Sequence, residues 1–255
     1  MRQFFSDWLY LSVRNIRQIW RPLLALIPSL FIPVFFFLVN STALQAFAKV
    51  PGFPNVSYKD FIAPVAIFTA IFFSAGNAGI ELAQDISSGY FKKLIIMPIH
   101  RVTIVLSKLS EIALLSVIQG AVVLILLLVV GVHFNTGLLG IIAIFVMLTI
   151  FAMGWSCIGM IAALRTQNVR LVQSMFIIVF PFLYLTTSQA PMKLLPKTFQ
   201  LFATYNPVTY IIEGTRALVL STWSNPAIWQ GFLVAVILFI VMVTLTVMSL
   251  RKALK

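Results

Sequence analysis

IALLSVIQGAVVLILLLVVGVHFNTGLLGIIAIFVMLTIFAMGWSCIGMIAAL, residues 112–164, contains no Lys, Arg, Asp or Glu. As a single helix this stretch would be on the order of 80 Å long, against a hydrocarbon core of about 30 Å, so it must hold two crossings. Turn formers Gly131, Asn135, Thr136 and Gly137 interrupt it near its midpoint. The crossings therefore fall at about 106–130 and 138–163. The same ruler, moved outward, marks further spans at about 23–39, 61–80, 171–188 and 228–250. In lipid each backbone group must bond within its own segment, and these runs are too long and continuous for barrel strands. The expected fold is all-α: a polytopic membrane protein with six transmembrane helices.

The whole composition agrees. Of 255 residues, 61% are hydrophobic and 9% charged, a balance foreign to soluble domains. Acidic side chains are Asp7, Asp60, Glu81, Asp85, Glu111 and Glu213, while Lys and Arg total 18, for a net charge of +12. The positive charges sit between apolar runs, which argues against nucleic acid and for the loops of a membrane protein. With six crossings, thirteen basic residues share the side of the termini (Arg2, Arg14, Arg17, Arg21, Lys92, Lys93, Arg101, Lys108, Arg165, Arg170, Arg251, Lys252 and Lys255). The other side has five: Lys49, Lys59, Lys193, Lys197 and Arg216. The positive-inside bias makes both termini cytoplasmic, in the cytoplasmic (inner) membrane, with 251–255 as a cytoplasmic tail. No charged n-region with a small-residue cleavage site opens the chain, so the first span is expected to serve as an uncleaved signal. Cys157 lies inside an apolar stretch and reads as packing.

Two segments that are not spans carry most of the information. Residues 1–21 place Phe5, Trp8, Leu9, Val13, Ile16 and Trp20 at three- and four-residue spacing, with Asp7, Arg14, Arg17, Gln18 and Arg21 opposite. This predicts an interfacial amphipathic helix anchored by Trp8 and Trp20, its Arg14, Arg17 and Arg21 near lipid phosphates or a cytoplasmic partner. The alternative is a flank that only sets the topology of the first span. In the second-to-third loop, Gly89 can break one helix and Pro98 end the next, while Tyr90, Phe91, Leu94, Ile95 and Met97 give a short helix an apolar face. Such side chains call for a covering partner, or for a loop folded onto its own helices or the headgroups.

Residues 81–108 resemble the cytoplasmic loop of ABC type-2 permeases of the daunorubicin-resistance kind, with Asp85, Gly89, Lys92, Lys93, Leu94, Pro98, Arg101 and Lys108 at the family's positions. The resemblance implies a coupling helix, spanning Gly89 to Arg101, that docks on a separate nucleotide-binding subunit. A second match is Asn206-Pro207-x-x-Tyr210-x-x-Glu213-x-x-Arg216, similar to the family's segment between spans five and six. Read physically, Asn206 before Pro207 suits a helix start, and Glu213 and Arg216 lie one turn apart and can neutralise each other. Moderately apolar, with a paired charge, the segment suits an outer re-entrant hairpin whose first arm holds Lys193, Pro196 and Lys197. An ordinary outer loop with a surface helix is the alternative.

No Gly-x-x-x-x-Gly-Lys-Ser/Thr occurs, so the chain itself is not expected to be an enzyme or to bind ATP; ATP and Mg would belong to the partner ATPase. Carboxylates are nearly absent from the spans. Glu111 is the exception, and it pairs with Lys108 or, on the other reading, relays protons. His100 and His133 lack a second ligand at metal spacing, and no nucleophile has an accompanying base. Phe35-Phe36-Phe37, Phe72-Phe73 and Phe180-Pro181-Phe182 either line a path for lipophilic cargo or simply pack. The resemblance implies a permease working as a homodimer or heterodimer in membrane lipid, exporting a drug, lipid, glycolipid or polysaccharide, with the 206–216 hairpin at the outer gate. The rivals are an ion- or proton-driven secondary carrier and a non-transporting assembly or immunity protein.

Overall fold

The computed structural model describes residues 2–19 and 23–253. Trp20 and Arg21 of the expected interfacial helix, and Lys255 of the tail, lie outside the described residues. The described chain is helical, without strands: α1 Arg2–Ile19, α2 Leu23–Ala43, α3 Tyr58–Ser87, α4 Tyr90–Ile96, α5 Arg101–Val129, α6 Gly137–Thr166, α7 Val169–Tyr184, α8 Lys197–Tyr205, α9 Pro207–Leu220 and α10 Pro226–Ala253. Short 3-10 turns occupy Gln45–Lys49 and Met192–Leu194. Among the described residues four helices, α3, α5, α6 and α10, are long and apolar enough to cross a membrane. The stretches Leu30–Ala43 of α2 and Val169–Tyr184 of α7 are apolar but shorter. The 16 residues of α7 rise about 24 Å, less than a full hydrocarbon core.

α3 is the axle of the bundle, touched by α2, α5, α6, α7 and α9. Its Phe68 and Phe72 stand 5.3 Å and 5.1 Å, centroid to centroid, from Phe151 and Trp155 of α6. Below these rings the two backbones meet: a Cβ on Gly79 would lie 2.4 Å from the backbone of Gly159. Small residues at such a crossing let helices approach where lipid supplies no hydrophobic drive between them. Gly79→Ala is therefore expected to force α3 and α6 apart at a cost of about 1–3 kcal/mol, seen as a lower melting temperature of the purified protein.

The residue 112–164 run divides where Gly131 takes a φ of +80° and Gly137 one of +64°, conformations that favour glycine. Lys59 reaches over from α3, its ammonium donating to the carbonyls of Val130 at 3.1 Å and Gly131 at 3.0 Å. That contact satisfies and neutralises the carboxyl end of α5.

One expectation needs correction. The fifth span was expected to run to residue 188, but α7 ends at Tyr184. The Thr186 hydroxyl donates to the Leu183 carbonyl at 2.7 Å and accepts from the Ser188 N–H at 3.1 Å, so local side-chain bonds replace the helical ladder. α1 forms as an amphipathic helix and packs one face on α5. Its Leu11, Ser12 and Asn15 are buried, and the Trp8 indole donates to Ser110 at 3.1 Å. Phe5, Leu9 and Val13, four residues apart, form a separate exposed row.

Candidate functional site

Two polar clusters interrupt the apolar bundle, one at each end. At the α4 end, Gly89 takes a φ of +76°, turning the chain sharply from α3 into α4. The seven-residue α4 then roots itself: Phe91 and Leu94, one turn apart, are buried in the core. Tyr90 lies beneath the Arg14 guanidinium of α1, 3.7 Å from the ring centroid, and Phe4 packs against His100 at 5.5 Å. Burial raises the Tyr90 phenol above its ordinary range, against the opposing charge of Arg14. The expected exposed face of Tyr90, Phe91, Leu94, Ile95 and Met97 is thus redistributed. Ile96 is 83% exposed and Met97 48%, beside exposed Lys92, Lys93 and Pro98, while Phe91 and Leu94 face the protein's own helices. A helix lying on its neighbours can turn only one row of side chains outward.

Behind α4 stands a buried ion network. Lys108 of α5 binds Glu111 at 2.9 Å and Glu81 of α3 at 3.0 Å. Its side chain and that of Glu111 are 6% and 3% exposed, so the pair is largely withdrawn from water. Asn15 of α1 donates to Ser107 on the same turn of α5 at 3.4 Å. α1, α3, α4 and α5 are thereby joined by polar contacts as well as packing. Asp85 is half-buried on α3, and Arg17 and Arg101 are exposed.

At the opposite end, α8 and α9 form a hairpin. Its entry abuts the α2–α3 loop, where a Cβ on Gly52 would lie 3.2 Å from Leu194. Its exit is held by the α5–α6 turn: Asn135 donates to the carbonyls of Val219 at 2.9 Å and Leu220 at 2.7 Å, and the Thr136 hydroxyl to that of Leu218. The apex, Asn206, reaches the end of α7, donating to the carbonyls of Phe182 at 2.7 Å and Leu185 at 2.9 Å. Its side-chain Oδ1 accepts from the Val208 N–H at 3.0 Å, and Pro207 occupies the first turn of α9, where a missing N–H costs nothing. The Tyr210 hydroxyl donates to the Thr204 carbonyl at 2.9 Å, closing the two arms.

Arg216 fastens this hairpin to the bundle. Nη1 binds Glu213 at 2.6 Å, Nη2 donates to the Thr187 carbonyl at 2.8 Å, and Nε to the Phe61 carbonyl at 3.2 Å. The guanidinium also lies 3.8 Å above the Phe61 ring. Arg216 is 5% exposed, and its planar fork serves three elements at once.

The structure thus brings Glu213 and Arg216 together as their spacing suggests, and adds Phe61 and Thr187, which sequence reasoning missed. Glu81 was likewise missed as a partner of Lys108, 27 residues away. Among the described residues no group of three or more His, Cys, Asp or Glu could hold a metal ion.

Comparison with known proteins places this arrangement. The profile of the ABC-2 type transporter family matches residues 6–220. A putative transport permease, ycf38, of Porphyra purpurea is 30% identical over 210 residues, covering 80% of this chain and 71% of its own. The ycf38 protein of Cyanophora paradoxa is 25% identical over 84% of this chain and 75% of its own. The probable doxorubicin resistance ABC transporter permease DrrC of Mycobacterium tuberculosis is 22% identical over 90% of this chain and 84% of its own. With most of the chain matched and its long apolar helices in place, the protein belongs to the ABC-2 type transporter family, as a multi-pass membrane permease subunit.

Proposed function

We propose that this permease is the membrane half of an ATP-driven exporter, working as a homodimer or heterodimer in which each copy engages a separate ATPase that holds the ATP and Mg. Its cargo is hydrophobic or amphipathic: a drug, lipid, glycolipid or polysaccharide. The observation that carries this reading is α4, rooted by Phe91 and Leu94 yet presenting Ile96, Met97, Lys92 and Lys93 outward. A push on that exposed tip reaches α3 and α5 through the Lys108 ion pairs, and α1 through Arg14. Asp85, Gly89, Tyr90, Pro98 and Arg101 shape and flank the same lever.

In this reading α2 and α7 complete six crossings, and the basic α4 end and both termini are cytoplasmic. The α8–α9 hairpin is re-entrant on the outer side, supported by entry and exit at the level of the α2–α3 and α5–α6 connections and by an apex whose polar groups are bonded. Asn206, Pro207, Tyr210, Glu213 and Arg216 then set the outer gate. α1 steadies the lever while Phe5, Leu9 and Val13 meet lipid.

Co-purification with the cognate ATPase tests the coupling. Ile96→Asp and Met97→Asp leave the core untouched, whereas Phe91→Asp would injure it. Loss of one apolar anchor is worth roughly 2 kcal/mol, so either variant should bind the ATPase about thirtyfold more weakly and lose stimulated hydrolysis. A double variant that keeps both the complex and the stimulation removes α4 from the coupling role.

A further inference from the structure

Between α7 and α10 runs a cleft of about 350 Å³ whose lining side chains carry no charge. Val172 and Met175 of α7 face Leu238 and Met242 of α10 across it, with Trp155 and Gly159 of α6 at its floor. α7 packs on α3 and α6, and α10 on α6 and α9, so the cleft lies between two helices that lean on a common third. Met175 is 38% exposed at its mouth. The volume is that of a small-molecule site, and an apolar cavity does not retain water. In a bilayer, the occupant at hand is hydrocarbon.

Two cations stand at one end. Arg170 precedes Met175 by about 8 Å of helix, and Arg165 follows Gly159 by about 9 Å. Both are exposed, and the ion pairs among the described residues use Lys108 and Arg216 instead. The Asn168 side chain caps α7 by accepting from the N–H groups of Arg170 and Leu171, which fixes the turn between the two arginines.

We infer that this cleft binds one acyl chain of an anionic phospholipid, with its phosphate held between Arg165 and Arg170. A free phosphate would use the arginines alone and leave the cleft empty; a neutral lipid would use the cleft alone. Pro207, at the apex of the α8–α9 hairpin, also lines the cleft, so the bound chain touches the element that Arg216 fastens. The inference requires only that the chain spans a bilayer. Neither the ATPase nor the direction of transport enters it, so its failure leaves the proposed function standing.

The probe is phosphatidylglycerol with a photoreactive acyl chain, at trace level in phosphatidylcholine nanodiscs holding the full-length protein. Labelling should map to Trp155, Met175 or Met242. Each arginine near the surface contributes about 1 kcal/mol toward an anionic lipid, so R165Q/R170Q should cut labelling about thirtyfold. Met242→Trp should cut it by filling the cleft, and Lys197→Gln, far from it, should change nothing. Since a large residue at 242 also strains packing, the surface arginine pair, with an unchanged melting temperature, is the deciding variant. Equal labelling by photoreactive phosphatidylcholine, or undiminished labelling in R165Q/R170Q, overturns the inference.

Discussion

Arg216→Leu is expected to cost about 3–5 kcal/mol and to lower the melting temperature of the purified protein more than any other single change in the hairpin. The guanidinium is buried and bonds to the Phe61 carbonyl, the Thr187 carbonyl and Glu213. Leucine fills much of the same volume but leaves the two carbonyls and the carboxylate without their donor, and unsatisfied buried acceptors carry their full desolvation penalty. Arg216→Lys keeps the charge and should recover only part of the loss, because one ammonium cannot span three acceptors on three elements. Arg216→Leu should also loosen the α8–α9 hairpin, detectable as faster hydrogen exchange at Val208 to Leu220 than in α6 of the same molecule. A variant melting with the parent protein would show that the network is decorative.

The helices were legible because charge-free length is a direct physical ruler. Residues 112–164 exceed one crossing, and Gly131 to Gly137 is where they must turn. The Asn206-Pro207 start and the Glu213–Arg216 pair were legible for a similar reason: both are local, fixed by helix geometry over three or four residues. What stayed hidden was long-range. Nothing in the sequence near Phe61 or Thr187 says that their carbonyls will face Arg216, since backbone acceptors look alike at every position. The exposed face of α4 was misjudged because seven residues make only two turns, and which row faces the bundle depends on how α1 and α3 approach. Phe91 and Leu94 turned inward, so Ile96 and Met97 inherited the surface. α1 shows the same limit, its periodicity marking Phe5, Leu9 and Val13 correctly as an apolar row but giving no hint that Asn15 and Trp8 would bond α5.

Lys108→Met should destabilise the protein by about 3–5 kcal/mol, the cost of removing one partner from a buried ion pair. Two carboxylates, Glu81 and Glu111, would then lose the charge they share, with Asp85 on the same helix as Glu81 adding to the repulsion. Glu111→Gln should cost distinctly less, because Lys108 retains Glu81 at 3.0 Å. Glu81 is 38% exposed and contributes less than Glu111, so Glu81→Gln should be the mildest of the three. The double variant Lys108→Met/Glu111→Gln removes the buried unpaired charge and should be more stable than Lys108→Met alone, a coupling of about 0.5–3 kcal/mol. This order separates the two roles open to Glu111. As half of a structural pair it tolerates amidation with modest loss of stability and with transport preserved, whereas as a proton relay it loses transport in Glu111→Gln while its melting temperature holds. Because Lys108 ties α5 to the helix that leads directly into α4, the coupling role proposed for α4 carries a further consequence: under that proposal Lys108→Met should uncouple ATP hydrolysis from transport before it prevents a partner ATPase from binding, since Ile96 and Met97 remain exposed.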